Sequence, residues 1–299
     1  MRFRVSLLAT SIVIAAAQLA LGTATLGAQD TTSTANLKRT AEGGLVQLVL
    51  RDGSTLYGRV VDVTPVSLQF SSAIGVTTVS RSAISSLRPV EASSLHDGEI
   101  WPEDPSRTRL FFAPTGRMLR QDERYFADPY IFFPSLQYGV TDNVTLGGGM
   151  SAFPGLGLDD QLYYITPKVG VYTSPGVNVA VGALIAGEKE FSDASPVGIG
   201  YGVATFGDEN ASMTTGAGFG FAHGNTSSTA LVMVGGSRRV SKSIALVSEN
   251  YFLTEAKSSI LYSGGLRFIS ERLAVDVALV GTSASNSYLF PYLSFIYRW

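Results

Sequence analysis

Residues 289–299 read LFPYLSFIYRW, and this stretch decides the fold class to expect. Apolar or aromatic side chains occupy every second position up to the last residue, namely Leu293, Phe295, Tyr297 and Trp299. Successive side chains of a β-strand point to opposite faces, so this spacing places all four on one face. A period of two with one apolar face predicts a half-buried strand at the end of the chain.

The same period recurs through residues 108–299 and predicts an all-β fold. We expect an antiparallel transmembrane β-barrel of about 12 strands, because most segments approach the ten residues that a tilted membrane strand needs. The apolar face of each strand is expected to meet lipid, including Val197, Ile199, Tyr201 and Val203 of the sixth strand. The predicted strands are residues 108–115, 128–140, 143–153, 162–173, 177–188, 197–207, 211–223, 229–240, 244–254, 260–269, 273–283 and 289–299.

Short turns at residues 141–143, 174–176 and 208–210 alternate with connections that are mostly longer and more polar. Each short turn ends in Asn or Gly, the residues that best tolerate the left-handed backbone of a three-residue hairpin loop. Such loops predict the cross-strand pairs Val140–Val144, Thr173–Val177 and Gly207–Ala211. Short periplasmic turns and longer outer loops are typical of outer-membrane barrels, so we expect both ends of this barrel in the periplasm.

The N-terminal residues 1–28 have the layout of a secretory signal peptide. Arg2 and Arg4 precede an apolar run, and small residues follow it. Cleavage is expected after Ala28, with Gly22 as an alternative, and an uncleaved membrane helix is the other interpretation of this run. Residues 29–42 are polar and rich in Thr, and they are predicted to be disordered.

Residues 43–90 predict a compact β-domain in front of the barrel, and the acidic, aperiodic residues 91–107 a linker. The pair Asp52-Gly53 between two apolar runs is a strong hairpin signal. The segment resembles small SH3-like or Sm-like barrels in its opening L.DGS...G.V and its closing G..TVSRSAISSL. Some relatives of that shape bind RNA, but this copy has no basic stripe, so we expect no nucleic acid partner.

Composition excludes several classes of protein. Removing residues 1–28 leaves 20 basic and 24 acidic residues, a net charge of −4 that does not favour nucleic acid binding. Charged residues make up 15% of the chain, well below the share of about 25% in soluble proteins. The chain has two His and no Cys, and no motif with catalytic or metal-ligand spacing, so we expect neither an enzyme nor a cofactor.

The alternation that ends in Trp299 resembles the C-terminal strand of chains assembled into outer membranes, which implies recognition by the barrel-assembly machinery. Four further segments resemble uncharacterised bacterial outer-membrane, porin-like proteins: FFAPTGR (111–117), ITPKVGVY (165–172), GYGVATFGDENAS (200–212) and VSKSIALVSENYF (240–252). This resemblance implies an outer-membrane location, contact with outer-membrane lipid, and an SH3-like domain in the periplasm before the barrel. It implies no particular activity.

The face assignments place four charged residues in the lumen: Lys168, Glu249, Arg267 and Asp276. Taking residues 271–272 as a two-residue loop pairs Arg267 directly with Asp276. The inward charges form either a constriction that sorts permeants or a set of ion pairs that fills a narrow barrel. Two functions follow. The first is a passive channel for small solutes, and the alternative is a non-conducting barrel that displays its periplasmic domain to an unknown partner.

Overall fold

The computed structural model describes residues 44–72, 74–90, 94–96, 99–187, 197–222, 224–254, 260–283 and 289–299. The chain divides into two compact units, one ending at Ser94 and the other spanning Leu95–Trp299. The predicted signal peptide, residues 1–28, and the predicted disordered segment, residues 29–42, lie outside the described residues. No helix in the described part of the chain has the length and hydropathy needed to cross a membrane.

The N-terminal unit is a five-stranded antiparallel sheet in the order β4-β3-β2-β1-β5. Its strands are β1 (Val46–Leu50), β2 (Thr55–Val63), β3 (Ser67–Ser72), β4 (Gly75–Ser80) and β5 (Ile84–Pro89). Asp52-Gly53 makes the first hairpin turn, because Gly53 adopts φ +88° and Asp52 Oδ1 accepts the N–H of Ser54. The core of the sheet consists of buried apolar side chains, among them Leu48, Leu68, Phe70 and Ile84. The likeness of this unit to SH3 domains stays a prediction.

The second unit is a closed antiparallel barrel of 12 strands, as the alternation predicts. After a short hairpin of β6 (Leu95–His96) and β7 (Glu99–Ile100), its strands are β8 (Arg124–Pro129), β9 (Ser135–Thr141), β10 (Val144–Met150), β11 (Tyr163–Ile165), β12 (Lys168–Ser174), β13 (Val177–Gly187), β14 (Val197–Gly207), β15 (Ala211–Ala222), β16 (Asn225–Ser241), β17 (Ile244–Leu253), β18 (Ile260–Ile269), β19 (Leu273–Thr282) and β20 (Leu289–Arg298). Pairing of β20 with β8 closes the barrel. The segments β11 and β12 together form one strand of the wall, because both pair with β10 on one side and β13 on the other. Pro167 lies between them and interrupts the strand, because it has no N–H to continue the ladder.

In β19 and β20 the outward face of the barrel is apolar, as the sequence predicts. In β19, Leu273, Val277 and Leu279 are exposed, whereas Asp276 and its neighbours on the same face are buried. The register between β19 and β20 pairs Val277 with Leu293, Val275 with Phe295 and Leu273 with Tyr297. The proposed assembly residues Leu293, Phe295 and Tyr297 therefore share this outward face, and Trp299 follows them with an exposed ring.

The prediction of the first strand is wrong. Residues 108–115 are not part of the barrel wall, which begins at β8, and the predicted strand 128–140 is divided between β8 and β9 with a turn at residues 130–134. Leu110, Phe111 and Ala113 are buried in the interior instead. Alternation indicates only that alternate side chains share an apolar environment, and the inside of this barrel is apolar as well.

The predicted face of the sixth strand, β14, is also wrong. Ile199, Tyr201 and Val203 point into the lumen, and the intervening glycines share the outward face with Val181. The three predicted turn pairs are wrong at the turns themselves, where the structure pairs Thr141 with Val144, Ser174 with Val177 and Gly207 with Ser212. A bulge beyond each of the first two turns restores the predicted register, whereas the register between β14 and β15 stays shifted by one residue. The cause at the turn before β15 is Asp208, whose Oδ1 accepts the N–H groups of both Asn210 and Ala211 and so lengthens the turn. A slip of one residue exchanges the two faces of a strand.

Candidate functional site

Residues 102–121, called the plug below, fold into the lumen from the end of the barrel that carries the short turns. They form a hairpin with its tip at Phe111 and Phe112, closed by an N–H to carbonyl bond of 2.9 Å from Thr115 to Thr108. Most of the plug is buried, including Asp104 and Arg107, which the sequence placed in a linker. The chain therefore fills its own lumen over the half nearest the short turns.

The predicted lumen pair Arg267 and Asp276 lies opposite each other in the register that the two-residue loop requires. Arg267 Nε donates to Asp276 Oδ1 at 2.6 Å, and both side chains are 1% exposed. The guanidinium also binds the plug, since Nη1 lies 3.0 Å from Asp104 Oδ2 and Nη2 donates to the carbonyl of Leu110 at 2.6 Å. A buried guanidinium needs such a full set of acceptors, because an unpaired charge is costly in the interior. Arg267 therefore binds both its partner in the wall, Asp276, and the plug.

Glu249 of β17 binds the tip of the plug. Its Oε2 accepts the backbone N–H groups of Phe111, Phe112 and Ala113 at 2.9, 2.9 and 3.0 Å. Its Oε1 accepts the hydroxyl of Tyr251 at 2.6 Å. A carboxylate that receives several hydrogen bonds in a dry site makes strong, charge-assisted contacts. Glu249 is therefore an anchor for the hairpin tip rather than a free charge in a pore.

Lys168 of β12 holds the base of the hairpin. Its Nζ donates to the carbonyls of Arg117, Thr115 and Thr108 at 2.7, 3.2 and 3.4 Å. Nearby, Thr205 Oγ1 accepts the N–H of Gly116 at 2.8 Å. A Cβ atom at Gly116 would lie 2.1 Å from the carbonyl oxygen of Asn178, so the plug backbone can approach the wall this closely because that residue is glycine.

A charge network closes the short-turn end of the lumen. Glu103 of the plug binds Arg107 at 2.8 Å and Arg298 of the last strand at 2.7 Å, and Glu123 binds the same two arginines. Burial alone would raise the pKa of Glu103, but the charges of Arg107, Arg298 and Arg120 outweigh it and hold that pKa well below its usual value. In the turn before β15, burial and the charge of Glu103 raise the pKa of Glu209 to about 7. The network thus ties the plug to the C-terminal strand.

Above the plug, the other half of the lumen is a cavity of about 750 Å³, called the outer cavity below. Its floor is Phe111 and Phe112, and its wall is largely aliphatic and aromatic, including Leu184, Ile199, Leu231 and Val280. Two smaller cavities, of about 120 and 90 Å³, lie beside the plug. The half-exposed ring of Phe112 borders all three.

The structure thus places all four predicted lumen residues inside the barrel and brings each of Lys168, Glu249 and Arg267 into contact with the plug. The plug and the outer cavity were not predicted from the sequence. A signal for the plug was present, because residues 101–123 hold many charged residues that no membrane strand accommodates. Among the described residues, no group of three His, Cys, Asp or Glu is placed to hold a metal ion. His223, one of the two His residues of the chain, lies outside the described residues.

No protein-family model matches the chain, and no curated protein matches it in sequence. Among solved structures, the chain is similar to the KdgM porin in complex with disordered oligogalacturonate, at 8% identity and a TM-score of 0.44, over 58% of this chain and 96% of that one. The NanC porin gives 7% identity and a TM-score of 0.40, over 58% of this chain and 98% of that one. A triple mutant of the Rhodopseudomonas blastica porin gives 11% identity and a TM-score of 0.33, over 67% and 66%. The similarity to these porins concerns the barrel fold alone.

Proposed function

We propose that this chain is an outer-membrane channel for small solutes that its own plug closes in the conformation described here. The observation that carries the proposal is the occupied lumen: wall residues of four different strands, Lys168, Thr205, Glu249 and Arg267, all bind the plug. An outward face of exposed apolar residues supports the membrane location. The polar side chains of the lumen hold the plug, which favours transport or display over catalysis.

The inward charges have a different role in this proposal from the one that a passive, selective pore would give them. A constriction sorts ions with charges that face the permeation path. Here Arg267 and Asp276 are 1% exposed and Glu249 is 3% exposed, because each is turned toward the plug or toward its partner. We therefore assign these charges to closure of the channel, and solute preference to the cavity above the plug.

Chain direction supports an orientation with the short turns in the periplasm. The wall begins at Arg124 and ends at Arg298, and these two ends meet at the short-turn end, where β8 pairs with β20. With that end in the periplasm, the chain before the plug is periplasmic too, and so is the N-terminal unit. The C-terminal strand, with Trp299, is then at the side where the barrel-assembly machinery receives its clients.

The second candidate is a non-conducting barrel that displays its N-terminal unit to a periplasmic partner. The same anchors favour it, because Arg267 and Glu249 hold the plug through buried, charge-assisted bonds that resist release. The two candidates differ in whether the plug can leave the lumen.

Single-channel recording in planar bilayers distinguishes them, with refolded wild-type protein beside Glu249→Ala and the matched variant Glu271→Ala, which removes an exposed carboxylate from a turn. A channel closed by the plug gives rare openings in wild type, frequent ones in Glu249→Ala and wild-type behaviour in Glu271→Ala. Silence of all three with intact barrels favours the display function. A wild-type protein that is steadily open would overturn closure by the plug.

A further inference from the structure

We infer that the outer cavity binds a neutral hydrocarbon body, either a free apolar solute or the acyl chain of a lipid. This inference names the class of solute for the proposed channel and in that respect rests on it. The cavity itself is an observation that stands without the channel. Its volume of about 750 Å³ lies within the range of pockets that bury small molecules in other proteins.

The wall of the outer cavity is the first argument. In a water-filled barrel the inward side chains are polar. Here β14 and β16 direct Ile199 and Leu231 inward, and Leu184 and Val280 complete an apolar ring above the two Phe side chains of the plug. Apolar side chains that face a cavity gain from contact with an apolar occupant and lose from contact with water. Apolar cavities in proteins stay dry and take up aromatic molecules.

The polar side chains of Glu249, Tyr292 and Tyr164 at the cavity surface are the second argument, because each already has an internal partner. Glu249 uses one oxygen for the plug tip and the other for Tyr251. Tyr292 donates its hydroxyl to the carbonyl of Phe111 at 2.6 Å, and Tyr164 donates to that of Phe133 at 2.8 Å. An occupant with a charge or several polar groups would lose water without gaining these partners, and desolvation without compensation is unfavourable. The chemistry of the cavity therefore selects a neutral, apolar occupant.

The turn at the rim is the third argument. Tyr130 and Ile131 follow β8 with φ of +57° and +64°, a left-handed backbone that non-glycine residues rarely adopt. The turn directs the ring of Tyr130 edge-on against Tyr292, with ring centroids 4.6 Å apart, and so adds an aromatic side chain to the cavity wall. Strained backbone of this kind persists where the surrounding structure holds it, and it occurs at ligand sites more than elsewhere.

Fluorine NMR with 1-fluoronaphthalene as the neutral probe tests the inference on the folded, full-length protein in detergent. We expect a bound resonance distinct from that of the probe in micelles, saturating at one probe per barrel. The probe 4-fluoro-1-naphthoate has the same rings and a negative charge, and we expect at least tenfold weaker binding. Two variants of β13 control for the site: Ala186→Trp fills the cavity, and Val181→Trp adds the same side chain to the outward face. Ala186→Trp should weaken binding at least tenfold and Val181→Trp should not.

Solvent extraction and mass spectrometry of the purified protein identify the source of the hydrocarbon. One acyl lipid per barrel in wild type, lost in Ala186→Trp, identifies a lipid chain as the natural occupant, and an empty extract identifies a free solute. Absence of saturable binding by a folded barrel, or equal binding of the naphthoate, would overturn the inference. If the probe binds but Glu249→Ala shows no conductance, the channel is refuted and the hydrocarbon site in the outer cavity stands. If Glu249→Ala conducts but the probe does not bind, the hydrocarbon site is refuted and the channel stands.

Discussion

Replacing Glu249 by alanine should release the tip of the plug. The change removes the acceptor of three backbone N–H groups, those of Phe111, Phe112 and Ala113. A buried donor that loses its acceptor costs roughly 1–3 kcal/mol. The lower value applies to each donor here, because all three N–H groups share the single oxygen Oε2. Three such losses give about 3 kcal/mol in favour of the released plug.

A free energy of about 3 kcal/mol corresponds to roughly a 100-fold change in the ratio of released to bound plug, since about 1.4 kcal/mol is a factor of ten. The assay is the open probability of single channels in planar bilayers, measured under one voltage and salt condition. Glu249→Gln keeps an acceptor oxygen and loses the charge, so its open probability should fall between those of wild type and Glu249→Ala. Heat-modifiable migration on gels verifies that each variant is folded.

The role of Glu249 as the anchor of the plug tip fails if Glu249→Ala is folded and opens no more often than wild type. It fails equally if Glu271→Ala, whose carboxylate is exposed, opens as often as Glu249→Ala. A higher open probability for Glu249→Gln than for Glu249→Ala would show that the hydrogen bonds of the carboxylate do not set the position of the plug.

Three further predictions concern the pair in the wall, the end of the chain and the N-terminal unit. Arg267→Ala and Asp276→Ala should each lower the free energy of unfolding in urea by about 3–5 kcal/mol, and the double variant should cost less than their sum, because the two residues form one buried pair. Deleting Trp299 should slow assembly into vesicles that contain the barrel-assembly machinery, measured as the heat-modifiable fraction over time. Residues 43–90 expressed alone should give a soluble β-rich fold by circular dichroism, and Gly58→Ala should unfold it, because a Cβ there would lie 2.0 Å from the carbonyl oxygen of Ser71.

Each of these has a control and a contrary outcome. Additive effects of Arg267→Ala and Asp276→Ala on the free energy of unfolding would mean that the two side chains do not interact. Trp299→Phe keeps a terminal aromatic residue and should assemble like wild type, and unaltered assembly of the deletion would refute the assembly signal. Gly44→Ala meets no atom within 4 Å and should leave the N-terminal unit folded, so equal behaviour of the two glycine variants contradicts the packing argument.

The elements that the sequence predicted correctly are those in which two constraints agree. In β18 and β19, alternation and the tight turn both require Arg267 opposite Asp276, and the structure has that register. In β20, alternation continues without a bulge to Arg298, so the outward position of Leu293 and Tyr297 follows directly. The face that a side chain occupies can be predicted from alternation where nothing interrupts the ladder of paired residues.

The elements that it did not predict depend on what lies inside the barrel. Leu110 and Phe111 have the alternation of a membrane strand, but their apolar environment is the lumen, and periodicity is identical in the two cases. The inward face of β14 depends on one extra residue in a turn, which the side chain of Asp208 stabilises. The outer cavity has no local pattern, because its lining comes from strands far apart in the chain.

Both ends of the plug leave the lumen through the same mouth. Its first residue, Pro102, accepts a hydrogen bond from Arg239 near one short turn, and the N–H of its last, Gln121, binds Asp142 in another. A hairpin inserted in this way can be withdrawn without opening the ring of strands and without threading an end of the chain through it. A mechanical pull on the chain before residue 102 would therefore detach the contacts in order, from the rim inward. Release would begin at Pro102 and Glu103 and would reach Glu249 at the tip before the second limb, held by Thr205 and Lys168, comes free, so that the amount of force would decide how far the lumen empties.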